Sequence, residues 1–336
     1  MVFRTLILSR FKAPWAFAKK GATELSKIFS TQYKFEEELA KEKFHMIRLG
    51  DFDGFKGLPR KLVKPKAMDF DFPLTEELEE KFKNVLEEPI PLFFSYDGEE
   101  ADEDVPLILK KADETEEYIL HLPSYIESKE DIQIVYYYLD KLFKCSFKCS
   151  YFEEYIINPE VIELLFGEAR QFSIQKCHIT AQDNNIGILF KFILNNLTCD
   201  SHRIFLFLMK EDTMEKYMDD LYKILLSGGD KFGEVNLFVS IHKFLINVYD
   251  YIVEYVATSK DLSKMVPIIT FDLVTGKSLK LNEKAENVEI KELDGVKYTN
   301  YQVANIHDPK VKFSFCIEES ASKSSNIYVQ IKIMKE

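Results

Sequence analysis

The tetrapeptide Thr275-Gly276-Lys277-Ser278 has the ending of a phosphate-binding P-loop, where backbone amides wrap a phosphate and the lysine neutralises it. That loop needs a glycine five positions before Gly276, and Phe271 stands there, so the backbone lacks the required turn. The stretches "GDFDG" and "DFDF" place acids two apart, but two carboxylates without a third ligand make a weak metal site. "DGEEADED", between Asp97 and Asp104, lacks the alternation and central glycine of a calcium loop and reads as a solvated turn. Cys145 and Cys149 have no second Cys or His pair at zinc-ligand spacing. The histidines, His45, His121, His178, His202, His242 and His307, are dispersed. His178, inside a strand-like run, reads as a hydrogen-bonded structural residue. The sequence contains no G-x-S-x-G, H-E-x-x-H or G-x-G-x-x-G. The expectation is a chain with no catalytic residue, cofactor or metal, and not an enzyme; an enzyme without familiar motifs is the competing class.

Bulk composition narrows the remaining classes. The 336 residues suffice for one large domain or two ordinary ones. The net charge of −12 disfavours nucleic-acid binding, which depends on neutralising phosphates with Lys and Arg. Five scattered cysteines suit free thiols in a reducing compartment, and no apolar run is long enough for a membrane span. The expected location is therefore cytoplasmic or nuclear. The start, "MVFRTLILSRFKAPWAFAKKGAT", is basic and acid-free until Glu24, which offers a mitochondrial transit segment as the alternative. Phe and Tyr, at 28 and 17, imply an aromatic-rich core or an apolar partner surface.

The elements show a period. Apolar residues recur at helical offsets in Ile186–Leu197, Met214–Leu225 and Leu245–Val256, with a weaker copy from Ile132 to Phe143 and a short one at Val161, Leu164 and Leu165. Before the short one stands "NPE", where Asn158 is suited to cap and Pro159 to begin a helix. Strand-like runs precede these segments at 118–122, 145–152, 171–179, 203–209 and 235–241, and 267–274 extends the series. The repeat averages about 28 residues, within the leucine-rich range. Phe172, Ile174, Cys177 and Ile179 match the leucine-rich spacing L-x-L-x-x-N/C-x-L, although the other units do not visibly repeat it and chance explains a single match. The fold expected is α/β: an irregular leucine-rich-repeat-like βα stack with parallel strands, with a compact α/β domain as the alternative. Strict alternation at Val311–Ile317 and Ile327–Ile333, with "NYQVANI" before them, predicts a closing antiparallel hairpin or meander. Four segments follow: a basic stretch at 1–32, a helix plus irregular linker at 33–74, the βα stack at 75–275, and an antiparallel β element at 276–336 packed on it.

"YKFEEELAKEKF", read as a helix through Phe44, together with "IPLFF", "INPEVIELLF", "YVATSKDLSKMVPIITFDLV", "LNEKAENVEIKELDGVKYTNYQVANIHDPKVKFSF" and "VQIKIMK", resembles a nematode family of F-box-like proteins over about residue 33 to the end. In that family an F-box, which docks on the Skp-type adaptor of cullin ubiquitin ligases, precedes the first phrase. Residues 1–30 lack the leading "LP" turn, and Leu25, Ile28 and Phe29 read as a remnant of the last F-box helix. The resemblance implies a non-catalytic protein-interaction module like the substrate-receptor half of an F-box protein. It implies a protein partner, with Skp-type adaptor docking placed in doubt by the incomplete F-box. Within such a stack, Gln175, Lys176, Phe207 and Asn236 are the strand positions expected to line the partner surface.

Overall fold

The computed structural model describes residues 30–50, 58–65, 75–83, 88–96, 105–207, 215–239, 242–275, 279–321 and 327–336. The P-loop-like Gly276–Ser278, the acidic 97–104 run, the acids of "GDFDG" and "DFDF", and the F-box-like residues Leu25, Ile28 and Phe29 lie outside them.

The centre is a parallel run. Strands β1 (Lys43–Leu49), β8 (Ser146–Phe152), β10 (Phe172–Gln182), β11 (Leu197–Phe207), β12 (Phe232–Val239) and β13 (Ile268–Thr275) lie side by side in that order, each parallel to the next. The hairpin β5 (Pro106–Lys111) and β6 (Glu117–His121) extends the sheet beyond β1, and β2 (Arg60–Val63) ends it. At the other side β17 (Ile327–Lys335), β16 (Lys312–Ala321), β15 (Val296–Ala304) and β14 (Glu286–Leu293) follow β13 as an antiparallel meander. The described chain is thus an α/β fold around one thirteen-stranded sheet, its βα stack closed by antiparallel strands. The meander joins the stack edge to edge, through pairs such as Ile269–Ile333, rather than lying on it as a second layer.

Helices cover one face. They are α1 (residues 30–39), α2 (Glu76–Lys81), α3 (Lys129–Lys144), α4 (Pro159–Phe166), α5 (Ile186–Asn196), α6 (Met218–Ser227) and α7 (His242–Thr258). Phe172 of β10 meets both Phe143 of α3, at 4.5 Å, and Phe192 of α5, at 6.4 Å, so these helices share a side. Tyr222 of α6 stacks on Tyr251 of α7 at 4.0 Å, which carries the layer on towards the meander. Phe35 of α1 packs on Tyr118 of β6 and Tyr138 of α3 at 5.1 and 6.0 Å. Sequential crossovers of one hand produce this arrangement. The helix starts are locally encoded: Ser128 and Asp131 form a reciprocal capping box on α3, and Asn158 Oδ1 accepts from the Glu160 amide at 2.9 Å ahead of Pro159. Asn305 closes the far end, donating to the Val256 and Ser259 carbonyls at 2.7 and 2.9 Å.

Two expectations change. The helix read through Phe44 stops at 39; Glu42 turns the chain at φ +55, and Lys43–Leu49 becomes β1, with Phe44, Met46, Ile47 and Leu49 buried. The 33–74 segment therefore supplies a strand well inside the sheet and another at its edge, not a linker alone. The leucine-rich spacing also extends beyond one unit. Inward positions on β10 run 172, 174, then 177, 179 and 181, with two residues instead of one between 174 and 177. The same slip separates Phe147 from Ser150, Cys199 from His202, and Phe232 from Val235. The register aligns them: Phe147, Ile174, Cys199 and Phe232 form one row, and Ser150, Cys177, His202 and Val235 the next. Stacked in register, the slips leave the same pairing register on either side of them.

Candidate interaction face of the sheet

On these strands the side chains between the helix-facing positions point away from the helices. On β11 the inward set is His202, Ile204 and Leu206, and the outward set is Arg203, Phe205 and Phe207. Register places Tyr151, His178, Arg203 and Asn236 in one transverse row and Thr180, Phe205, Phe238, Asp272 and Gln330 in the next. Among the described residues, the exposure of Lys176, Arg203 and Phe207 marks this face as free of helices.

The face has two characters. Towards β8 it is cationic and aromatic: the Arg48 guanidinium lies 5.0 Å from the Tyr151 ring centroid, and Tyr151 stacks on His178 at 5.1 Å. Partial burial, then the charges of Arg203 and Lys176, hold His178 below its ordinary value. Ring stacking, not the expected hydrogen bond, positions it. Towards β13 the face is apolar with a polar border. Phe238 lies between Phe205 and Phe207 at centroid distances of 5.9 and 6.1 Å, and Phe207 is 44% exposed. Beside it Asp272 accepts from Tyr328 Oη at 2.8 Å and Gln330 Nε2 at 2.7 Å. Burial, the Asp272 hydrogen bond and its charge push the Tyr328 phenol up to about 12.

Of the residues singled out in the sequence, Lys176, Phe207 and Asn236 stand on this face. Asn236 is half-buried, and its Oδ1 has no hydrogen-bond partner. Gln175 is exposed at the strand slip, in the row of extra residues. Sequence reasoning missed Tyr151, His178, Arg203, Phe205 and Phe238. The signal was present as period-two alternation along β11 and β12, masked because both sets contain large apolar residues.

At the carboxyl ends of β9 (Tyr155–Ile157) and β10, a cleft of about 360 Å³ is lined by Phe94, Asn158, Glu160, Asn184, Lys191 and Tyr217. Lys191 is paired with Glu160 at 3.3 Å, so its charge is already opposed. Among the described residues no group of three His, Cys, Asp or Glu is placed to hold a metal, and no helix is long and apolar enough to cross a membrane.

The profile of a family described as a domain of unknown function (DUF8381) matches residues 63–208, less than half of the chain, from the end of β2 through β11. No curated protein and no solved structure matches.

Proposed function

We propose that this chain is a non-catalytic protein-recognition module, similar to the substrate-receptor half of F-box proteins, and that it binds its target on the helix-free face. The observation carrying this reading is the run Phe205–Phe238–Phe207 on an open sheet, adjoined by Arg203, Tyr151 and Tyr328. Aromatic residues and arginine dominate the energetics of protein interfaces, and contiguous exposed apolar patches mark them.

Quantitative affinity capture with the full chain tests the proposal. Phe207→Ser with Phe238→Ser should remove a specific partner, while Lys223→Glu on the helical side retains it. Identical partner sets for all three forms refute the surface assignment. Recovery of a Skp-type adaptor, abolished by Leu25→Asp with Ile28→Asp, would support residual docking by the N-terminal segment. The basic start also motivates the mitochondrial alternative, and a diffuse cytosolic signal from a fusion carrying residues 1–45 would eliminate it.

A further inference from the structure

We infer that β14 is the seam of a homodimer, pairing antiparallel with β14 of a second copy about a two-fold axis at Ile290. Among the described residues β14 is the last strand of the sheet, paired on one side only, with β15. All eight of its residues are exposed, Ile290 to 63% and Leu293 to 64%, so neither face of this edge is covered. The turn joining it to β15 is Asp294-Gly295, with φ of +53 and +77, a two-residue hairpin closing on the pair Leu293–Val296. In such a turn the closing pair exchanges both hydrogen bonds. Alternation then directs the backbone of Lys291 and Glu289 towards β15 and that of Ile290 and Glu292 outward.

The charged side chains select the register. A two-fold centred on Ile290 sets its free N–H and C=O against those of its copy and brings the two Ile290 side chains together on one face. On the other face it places Glu289 opposite Lys291 of the second copy, and Lys291 opposite Glu289, giving two opposite-charge cross-strand pairs. These side chains share a face already, since Lys291 Nζ donates to Glu289 Oε2 at 2.9 Å within one strand. A centre at Glu289 or Lys291 would also bond through outward backbone groups, but it would oppose like charges. A centre at Glu292 would oppose two glutamates. Of the centres from Val288 to Glu292, Ile290 alone forms opposite-charge pairs within the strand, and Val288 lies in the irregular stretch between Glu286 and Glu289; the Ile290 register is isologous, as a closed dimer requires. The competing role for the same charges is to guard a bare edge against pairing.

Sedimentation velocity on the full chain, over a concentration series reaching about 0.5 mM, distinguishes the two. The expected result is a reversible dimer. Lys291→Glu and Glu289→Lys should each weaken it by about tenfold, and the two together should restore it. Ile290→Pro, which removes an outward N–H and no bond within the chain, should abolish it with the melting transition unchanged. A monomer at every concentration overturns the inference in favour of a guarded edge. So does a dimer insensitive to these substitutions, or one the charge exchange fails to restore.

Discussion

His202 makes the fold acid-labile in a calculable way. Its ring is fully buried in the row between Cys177 and Val235, stacks on Phe232 at 5.6 Å, and has no hydrogen-bond partner at either nitrogen. Burial, with a smaller contribution from His178, lowers its pKa from 6.5 to about 3. The unfolded chain therefore takes up a proton below 6.5 that the folded chain refuses, and stability falls as pH drops from 6.5 towards 3. One tenfold change in proton affinity is worth about 1.4 kcal/mol, so this residue alone removes about 2 kcal/mol at pH 5 and about 4 kcal/mol at pH 3. Urea unfolding of the wild type and His202→Leu, at about pH 7.5 and pH 5, measures it. At the higher pH the variant should match or exceed the wild type, because leucine replaces two unsatisfied nitrogens in a row that already accepts Val235. At the lower pH the wild type should have lost about 2 kcal/mol more than the variant, every other titrating group being common to both. Equal losses would refute the reasoning and mean that a water or another group satisfies the ring.

Three further outcomes follow from packing. A Cβ on Gly233 would stand 2.8 Å from the Asp200 carbonyl oxygen, so Gly233→Ala should cost about 1–3 kcal/mol in the same unfolding assay. Ser128→Ala removes the capping box of α3 and should cost about 1 kcal/mol, with loss of helical signal on partial denaturation. Burial raises the pKa of all five thiols, but Cys145, Cys177 and Cys199 are buried while Cys149 and Cys316 are half-buried; mass-resolved alkylation of the native chain should reach those two first and all five after unfolding.

Much of the middle of the fold was legible because each βα unit repeats a local code. Ile186, Leu189, Phe190 and Ile193 lie on one helical stripe, and all are buried in the layer that the 3.6-residue period anticipates. The strands near 172, 203 and 235 lie side by side as that spacing requires. β1 was not legible, because its neighbours β5 and β8 are distant in sequence and its continuation of a helical phrase looks like more helix. The repeated strand slip was hidden by chemistry: Ser150, His202 and Val235 occupy the position that Cys177 fills, and only burial shows them to be equivalent. The face was only partly visible for a related reason. Phe205 and Phe238 read as core by residue type, and it is the one-sided helix layer that turns them outward.

Hydroxyl-radical footprinting of the full chain, read residue by residue, tests the central claim that one side of the sheet is packed and the other presents a surface. Phe207 and Tyr328, both exposed, should oxidise fastest and the half-buried Phe205 and Phe238 next, with Phe172, Phe190, Phe192 and Phe232 protected until unfolding. Equal protection of both sets in the monomer would mean that the face is covered, and would contradict the account.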